Sequence, residues 1–175
     1  TQGKTDLILD NLIADKKAVP MLVVMVDGNM GIPGFAEQGL KMFESELKQV
    51  VIPFVEKNFR ADDKAANRAL AGLSMGGLQT LYAGLYNYTL FSHLGVFSSG
   101  WLPNQQPIAD RQYDFLKKNS DDVNAKLNLF LAMGGKEDIA YENCQKMMTQ
   151  FQNAGIRYTY HEYPGGHTWP VWRNN

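Results

Sequence analysis

The stretch RALAGLSMGGLQTLYAGLY, residues 68–86, sets the architecture of this chain. Its first part, Arg68 to Leu73, is an apolar run of the length expected for a buried β-strand. Its last part repeats large apolar side chains at helical spacing, and these are Leu78, Leu81, Tyr82 and Leu85. The five residues GLSMG, 72–76, join the two parts, so the stretch predicts a strand, a tight turn and a helix in succession.

Strands and helices alternate along the rest of the chain. Apolar or β-branched runs predict further strands at Met21 to Val26, His93 to Ser98, Leu127 to Met133 and Arg157 to Tyr163. Helical spacing predicts a first helix from Asp6 to Asp15, with Ile8, Leu12 and Ile13 facing inward. A second helix is predicted from Phe35 to Asn58, with a kink at Pro53. A third is predicted around Tyr141 to Phe151 and ends at Gly155. This alternation predicts one α/β domain over residues 1–175, a three-layer α/β/α sandwich with a mostly parallel sheet.

The composition excludes several classes of function. Lys and Arg number 17 against 18 Asp and Glu, and the cations are spread along the chain, so no nucleic-acid partner is expected. No apolar run reaches about 18 residues, so no membrane span is expected. The one cysteine, Cys144, rules out an internal disulfide.

The turn at residues 72–76 presents Ser74 as a candidate nucleophile. It matches the pattern G-x-S-x-G, and a strand before it with a helix after it is the context that this pattern requires. Glycines two positions before and after the serine let a sharp turn close without side-chain clashes. The backbone amide of Met75 then lies at a helix N-terminus, where it can donate to a developing oxyanion. The alternative is a glycine-rich turn in which Ser74 only caps the helix.

Three histidines compete for the role of general base, and His167 is preferred. It follows the residues PGG, 164–166, in a loop after the last predicted strand, from which an imidazole can reach back over the sheet to Ser74. His93 opens a predicted strand and His161 lies within one, so a structural role explains both of them better.

The acid is expected in the loop that follows the predicted strand Leu127 to Met133. That loop, GGKED at residues 134–138, offers both Glu137 and Asp138. The carboxylate must accept a hydrogen bond from the imidazole of His167 and so hold its tautomer. The alternative for Asp138 is to cap the helix that begins near residue 139. With either carboxylate the chain order is Ser, acid, His, which is the order in α/β-hydrolases.

No metal site and no cofactor are expected. Three scattered histidines and one cysteine show no ligand spacing. The pair Gly134-Gly135 lacks the G-x-G-x-x-G frame of dinucleotide-binding turns. The expected chemistry is two-step acyl transfer by protein groups alone.

Four segments together resemble the esterase D-like family of α/β-hydrolases, and within it carbohydrate esterase family 1. They are VVMVDGN (23–29), GLSMGG (72–77), FSHLGVFSSG (91–100) and GGHTW (165–169). In that family the acid follows a glycine by three positions, which Gly135 and Asp138 fit. The nucleophile and the base of the family align with Ser74 and His167. The resemblance therefore implies the α/β-hydrolase fold and the trio Ser74, Asp138 and His167.

The resemblance also implies a substrate and a location. Carbohydrate esterase family 1 includes feruloyl esterases and acetyl xylan esterases, so the expected partner is acylated xylan or a small ester. Such a substrate favours the periplasm or the cell exterior. Trp101, which follows SSG at 98–100, and Trp169, beside His167, are candidates for lining a groove for an aromatic acid or a sugar.

The chain departs from the family at both ends. The family domain begins with further strands, one of which ends in a loop that supplies the second oxyanion amide, and it continues past Trp172 into a final helix. In the family's strand order another strand separates Met21–Val26 from Arg68–Leu73. Two unpaired sheet edges are therefore expected, which favours self-association. The chain by itself is expected to be a poor catalyst.

Other functions fit the same residues. An S-formylglutathione hydrolase or a siderophore-ester hydrolase would share the trio Ser, Asp and His, and the first of these would place the protein in the cytoplasm. A non-catalytic carbohydrate- or lipid-binding module, or an acyltransferase, is the alternative from a different class. The joint presence of the three residue types disfavours a module without activity.

Overall fold

The computed structural model describes residues 3–29 and 31–173. Its strands are β1 (Ala69–Leu73), β2 (His93–Phe97), β3 (Asn128–Gly134) and β4 (Thr159–Tyr163). Its α-helices are α1 (Thr5–Ala14), α2 (Glu37–Glu46), α3 (Ile52–Asn58), α4 (Met75–Tyr86), α5 (Gln106–Lys126), α6 (Tyr141–Asn153) and α7 (Trp169–Trp172). A π-helical turn, Leu47–Val51, joins α2 to α3, and short 3₁₀ helices lie at Ala65–Asn67 and Pro103–Gln105. Within the described segments, none of the helices is long and apolar enough to cross a membrane.

The strands form one parallel sheet in the order β1-β2-β3-β4. A helix follows each strand, because a parallel neighbour can be reached only by a crossover connection. Helices lie on both sides of the sheet. This confirms the predicted α/β class, a parallel sheet flanked by helices as in α/β-hydrolases.

The core lies between the sheet and the helices that pack against it. Side chains alternate along β2, so Leu94 and Val96 point into the core. Helix α4 approaches β2 closely, since a Cβ at Gly84 would lie 2.5 Å from a methyl carbon of Leu94. The largest fully buried apolar side chains are Leu40, Leu78, Leu81, Leu85, Leu94, Leu116, Leu131, Met133, Met147, Val96 and Val123. Removal of these side chains from water holds the layers together.

The strand predicted at Met21 to Val26 is wrong. This segment lies outside the sheet, and its six apolar side chains are between 39% and 66% exposed. A strand needs a neighbour to take up its backbone hydrogen bonds, and none of the described strands pairs with it. In the α/β-hydrolase order another strand would separate it from β1, whose outer edge is unpaired in the described part of the chain. Association of two chains through this edge stays a prediction.

The first helix is present, but the prediction that its apolar side chains face inward is wrong. Helix α1 has no buried residue. Ile8 is exposed, and Leu12 and Ile13 are half-buried. The reason is that amphipathic spacing specifies which face of a helix is apolar, whereas burial requires a second surface to cover that face.

Residues 37–58 form a nearly continuous helix that changes from α-helical to π-helical hydrogen bonding before Pro53. Pro53 has no amide hydrogen, and its ring would clash with the carbonyl of the residue four positions earlier in a regular helix. The π-helical turn Leu47–Val51 lies directly before this position and widens the helix there. The winding thus changes where the sequence predicts a kink.

Helix α5 is not among the helices predicted from the sequence. Its buried positions are Ile108, Ala109, Gln112, Leu116 and Val123. The apolar signal is weak because the central buried residue is a glutamine. The amide of Gln112 donates to the carbonyl of Leu81 at 2.9 Å, which makes this polar side chain acceptable in the core.

The parallel sheet brings its chemically interesting loops to one edge. Ser74 follows β1, Ser98 follows β2, the loop of Asp138 follows β3 and the loop of His167 follows β4. Because all four strands run in the same direction, their carboxyl ends meet at the same edge, where ligands bind in sheets of this kind.

Candidate active site

Ser74 occupies the turn between β1 and α4 in a strained backbone conformation. Its φ and ψ are 56° and −114°, and a positive φ is unfavourable for a residue with a side chain. The amide of Ser74 donates to the carbonyl of Phe97 at 2.8 Å. The hydroxyl of Ser99 donates to the carbonyl of Ser74 at 2.9 Å. The end of the neighbouring strand therefore holds the turn on both sides of its strained residue.

Glycines make this turn possible. A Cβ at Gly72 would overlap the carbonyl oxygen of Gly76, and a Cβ at Gly77 would overlap the Cβ of Ser99. A Cβ at Gly76 would meet nothing within 4 Å. The two tight positions are therefore Gly72, where the carbonyl of Gly76 comes close, and Gly77, where Ser99 approaches the start of α4.

Gly77→Ala is expected to lower the free energy of unfolding by about 1–3 kcal/mol, because its methyl group would overlap Ser99. Urea denaturation followed by circular dichroism measures this change. The matched control is Gly76→Ala, one residue earlier, whose methyl group enters open space and whose expected change is within about 0.5 kcal/mol. Equal free energies of unfolding for the two variants would contradict the close approach of α4 to residue 99.

The imidazole of His167 bridges Ser74 and Asp138. Its Nε2 lies 2.9 Å from Oγ of Ser74, and its Nδ1 lies 2.9 Å from Oδ1 of Asp138. An ionised carboxylate only accepts hydrogen bonds, so Nδ1 carries the proton and Nε2 accepts from the serine hydroxyl. The neutral imidazole is therefore held in the tautomer that can remove the proton of Ser74.

A hydrogen bond between two loops holds His167 in this position. Gly165 has φ of +120°, which glycine adopts far more readily than other residues. Its carbonyl accepts from the amide of Gly135 at 2.7 Å. Because Gly135 belongs to the loop that carries Asp138, this bond ties the histidine loop directly to the loop of the acid.

Asp138 is the buried member of the trio. Its side chain is 0% exposed, against 18% for His167. Besides His167, Oδ1 of Asp138 accepts from the amide of Ala140 at 2.9 Å, and Oδ2 accepts from the hydroxyl of Ser98 at 2.7 Å. The bond to Ala140 lies just before α6, so a role at the helix start and a role toward His167 are compatible. Glu137 is exposed, and the structure brings Asp138 instead to the imidazole.

Met75 occupies the first position of α4, directly after Ser74. The first amides of a helix have no acceptor within that helix, and the N-terminus carries a partial positive charge. The Met75 amide therefore lies where the sequence predicts an oxyanion donor. Such a donor acts on negative charge that develops on the carbonyl oxygen of a substrate attacked by the neighbouring serine.

The two tryptophans predicted to line a groove lie in different environments. Trp169 begins α7, two residues after His167, and is 36% exposed. Trp101 is 7% exposed, and its indole N–H donates to Gln112 at 3.2 Å. This corrects the expectation for Trp101, since a buried ring with a satisfied N–H belongs to the core. Trp169 is the candidate that the structure leaves at the surface beside the base.

The other nucleophilic or basic side chains singled out in the sequence lie elsewhere. His93 opens β2 at the opposite end of that strand and hydrogen-bonds Ser92 at 2.8 Å, and His161 packs on the ring of Phe130 with centroids 5.3 Å apart. Burial raises the pKa of the Cys144 thiol to about 12, so this residue is a neutral part of the core. Among the residues that the structure describes, no group of three His, Cys, Asp or Glu side chains could hold a metal ion.

Three residues at the site are absent from the sequence-based predictions. Ser98 and Ser99 follow β2, which lies between the strand of the nucleophile and the strand of the acid. The polar pair after an apolar strand is a signal that sequence reasoning could have used. Trp172 packs edge-to-face with the imidazole of His167, with ring centroids 4.8 Å apart. No local pattern reveals this contact, because it depends on how α7 folds back over the loop.

Comparison with known proteins identifies the family and the fold of this chain. Residues 1–175 match the model of a protein family described as "Putative esterase". An endo-1,4-beta-xylanase/feruloyl esterase of Xylanibacter ruminicola is 37% identical over 147 residues, which cover 78% of this chain and 20% of that protein. The structure of a ferulic acid esterase matches 99% of this chain and 74% of its own length, with a TM-score of 0.73 and 20% identity. The enterobactin esterase FES from Shigella flexneri matches 95% of this chain and 44% of its own length, with a TM-score of 0.72 and 23% identity.

These matches differ in what they establish. The two structures share the α/β fold of this chain, and at such low identity they show the fold alone. The chain spans about a fifth of the length of the xylanase/feruloyl esterase that it resembles. The family model, in contrast, matches the chain from its first residue to its last. The chain therefore belongs to this esterase family.

Proposed function

We propose that this chain is the hydrolytic domain of a serine carboxylester hydrolase that acts on acyl esters of plant cell-wall polysaccharide, the feruloyl or acetyl esters of xylan. The observation that carries the proposal is the placement of the His167 imidazole, 2.9 Å from both Oγ of Ser74 and Oδ1 of Asp138. A hydroxyl, an imidazole and a buried carboxylate in one hydrogen-bonded series are the groups that turn a serine into a nucleophile.

The proposed reaction has two acyl-transfer steps. Oγ of Ser74 attacks the ester carbonyl while Nε2 of His167 takes the hydroxyl proton. The amide of Met75 stabilises the resulting oxyanion. The tetrahedral intermediate collapses, the alcohol leaves with the proton from His167, and the acyl group stays on Ser74. Water then attacks the acyl-enzyme by the same route and releases the acid, which restores the free serine.

The polysaccharide substrate has support from one relative and from one exposed ring. The similar protein from Xylanibacter ruminicola bears the names of both a xylanase and a feruloyl esterase. In this chain, Trp169 presents a partly exposed indole two residues after the proposed base. A flat aromatic surface there is suited to a ferulate ring or to a sugar face. A wall substrate implies that the protein works in the periplasm or outside the cell.

A second candidate substrate is a siderophore ester. The fold is shared with an enterobactin esterase at a TM-score of 0.72, so the same framework is compatible with such a substrate. An S-formylglutathione hydrolase, which would act in the cytoplasm, would use the same three residues. The trio therefore does not separate these activities. It does argue against a non-catalytic binding module, which has no need of a serine hydroxyl hydrogen-bonded to an imidazole.

The experiment that tests the proposal compares specificity constants of the full-length protein. Methyl ferulate, acetylated xylan, S-formylglutathione and enterobactin serve as substrates. We expect kcat/KM to be highest for methyl ferulate or acetylated xylan. We also expect a fluorophosphonate probe to label the protein at Ser74, since such probes react with an activated serine hydroxyl.

Each readout has its own contrary outcome. A highest kcat/KM with S-formylglutathione or with enterobactin would replace the polysaccharide substrate and keep the serine esterase. An unlabelled protein that hydrolyses none of the four esters would remove the enzymatic proposal itself. The matched control for labelling is Ser92→Ala, which removes a hydroxyl bonded to the carbonyl of Ala66 at the other end of the sheet and should label like the unchanged protein.

A further inference from the structure

Two adjacent serines after β2 each contact one member of the proposed trio. The hydroxyl of Ser99 donates to the backbone carbonyl of Ser74 at 2.9 Å. The hydroxyl of Ser98 donates to Oδ2 of Asp138 at 2.7 Å. This follows from the strand order, because β2 lies between β1 and β3 and its carboxyl end lies between the nucleophile and the acid.

Ser98 is held in an unusual conformation for this contact. Its φ is 43°, in the left-handed region that residues with a side chain rarely occupy. Its side chain is buried, and its amide donates to the carbonyl of Ala132 at 2.8 Å. A strained, buried polar residue that touches an acid at the site is a candidate for a functional role, because strain of this kind is retained where the surroundings require it.

The direction of the Ser98 hydrogen bond is set by Trp172. The indole Nε1 of Trp172 lies 2.7 Å from Oγ of Ser98. An indole N–H can only donate, so Oγ of Ser98 must accept this bond. The hydroxyl hydrogen of Ser98 is then directed to its other neighbour, Oδ2 of Asp138. In this way a donor-only ring determines that the carboxylate receives a hydrogen bond.

Trp172 also contacts the base. Its ring packs edge-to-face with the imidazole of His167, with centroids 4.8 Å apart and planes at 89°. The same ring also packs against Trp169, with centroids 5.1 Å apart. One tryptophan thus contacts the imidazole with its ring and reaches the carboxylate through the Ser98 hydroxyl.

We propose that Ser98 and Trp172 are positioning residues of the reaction: the indole N–H orients the Ser98 hydroxyl, and this hydroxyl fixes Oδ2 of Asp138 so that Oδ1 stays on His167. This inference rests on the proposed function, since it assigns roles around the same trio. Without the bond from Ser98, the hydrogen bonds described for Asp138 are the two on Oδ1, from Ala140 and His167, so Oδ2 is no longer fixed and the carboxylate is less restricted about its last side-chain bond. The imidazole then loses part of its fixed orientation.

The test combines single and double substitutions in the full-length protein. Ser98→Ala removes the hydroxyl and keeps Cβ, and Trp172→Phe removes the indole N–H and keeps a ring beside the imidazole. Trp101→Phe is the matched control, because it also removes a buried indole N–H, here bonded to Gln112 in the core. The readouts are kcat/KM as a function of pH and the low-field proton resonance of Nδ1–H in His167.

We expect Ser98→Ala to lower kcat/KM by about ten- to a hundredfold, the effect of a lost hydrogen bond to a charged group. A carboxylate with one donor fewer attracts the protonated imidazole more strongly, so the acid limb of the pH profile should move to higher pH. Trp172→Phe should cost about three- to tenfold. In the Ser98→Ala background, Trp172→Phe should cause no further loss of kcat/KM, because Trp172 acts on the carboxylate through Ser98.

Several outcomes would overturn the inference. The first is an acid limb of the pH profile that does not move in Ser98→Ala. The second is a double variant whose loss in kcat/KM equals the product of the two single losses. The third is a shift of the Nδ1–H resonance in Trp172→Phe that is no larger than the shift in Trp101→Phe. Glu137, which lies near the histidine loop, and Cys144, which interacts electrostatically with Asp138, are the same in every variant, so differences report the altered contacts. If Ser98→Ala does not fold, the comparison of Trp172→Phe with Trp101→Phe still decides. Failure of the proposed function would be recognised separately, as esterase activity that does not change when Ser74 is substituted. The Nδ1–H resonance reports the contacts of His167 and does not depend on catalytic activity.

Discussion

Ser74→Ala is expected to lower kcat for ester hydrolysis by about five to six orders of magnitude. The reason is that alanine offers no atom for the covalent acyl-enzyme, so only uncatalysed attack by water in the site remains. The substitution removes one oxygen from the turn and keeps its strained backbone, so the fold should be maintained. Initial rates with methyl ferulate, with active-site titration of the unchanged protein, measure the effect.

The loss should not increase when His167→Gln is added to Ser74→Ala. Both substitutions disable the same proton transfer, so their combined effect should equal that of the serine variant alone. His161→Gln is the control, because this histidine lies in β4 against Phe130, away from the trio. Retention of more than about a hundredth of the activity in Ser74→Ala would show that another group performs the attack.

Asp138→Asn is expected to lower kcat by about four orders of magnitude. The asparagine amide can donate to Nδ1 of His167, and the ring proton would then lie on Nε2. A protonated Nε2 cannot accept the hydroxyl proton of Ser74. The side chain of Asp138 is fully buried, so the asparagine amide would stay directed at the imidazole. The loss should appear in kcat more than in KM, since the geometry of the site is kept.

The control for this prediction is Glu137→Gln, one residue earlier in the same loop. Glu137 is exposed, and its substitution is expected to change kcat by less than about threefold. The pair of variants also tests the choice that the sequence left open between two adjacent carboxylates. A large loss in Glu137→Gln together with a small one in Asp138→Asn would reverse the assignment of the acid.

Local chemistry explains why residues 68–86 could be interpreted without a structure. The apolar run after Arg68, the glycine-rich turn and the helical stripe each carry their own signal, and they form β1, the turn at Ser74 and α4 as expected. The chain order of Ser74, Asp138 and His167 adds to this, because parallel strands bring their following loops to one edge. The choice of Asp138 over Glu137 needed the family resemblance as well, since both residues follow the same strand.

The errors concern partners that lie far away in the sequence. The run Met21 to Val26 has the composition of a buried strand, but a strand exists only where another strand accepts its hydrogen bonds. Ile8 lies on the apolar side of α1, but a side chain is buried only where a second surface covers it. In both cases the sequence specified a local preference. Whether the strand formed or the side chain was buried depended on contacts with other parts of the protein.

The sequence by itself determined the parallel α/β architecture, the turn at Ser74 and the loops that carry the acid and His167, because these depend on periodicity, on glycine and on strand direction. Only the tertiary structure decided that Trp101 is buried against Gln112, that Ser98 holds the second oxygen of Asp138 and that Trp172 contacts both Ser98 and His167. The physical reason is that a hydrogen bond or a ring contact depends on positions fixed to a fraction of an ångström. Such positions arise only when the layers of the fold have packed together.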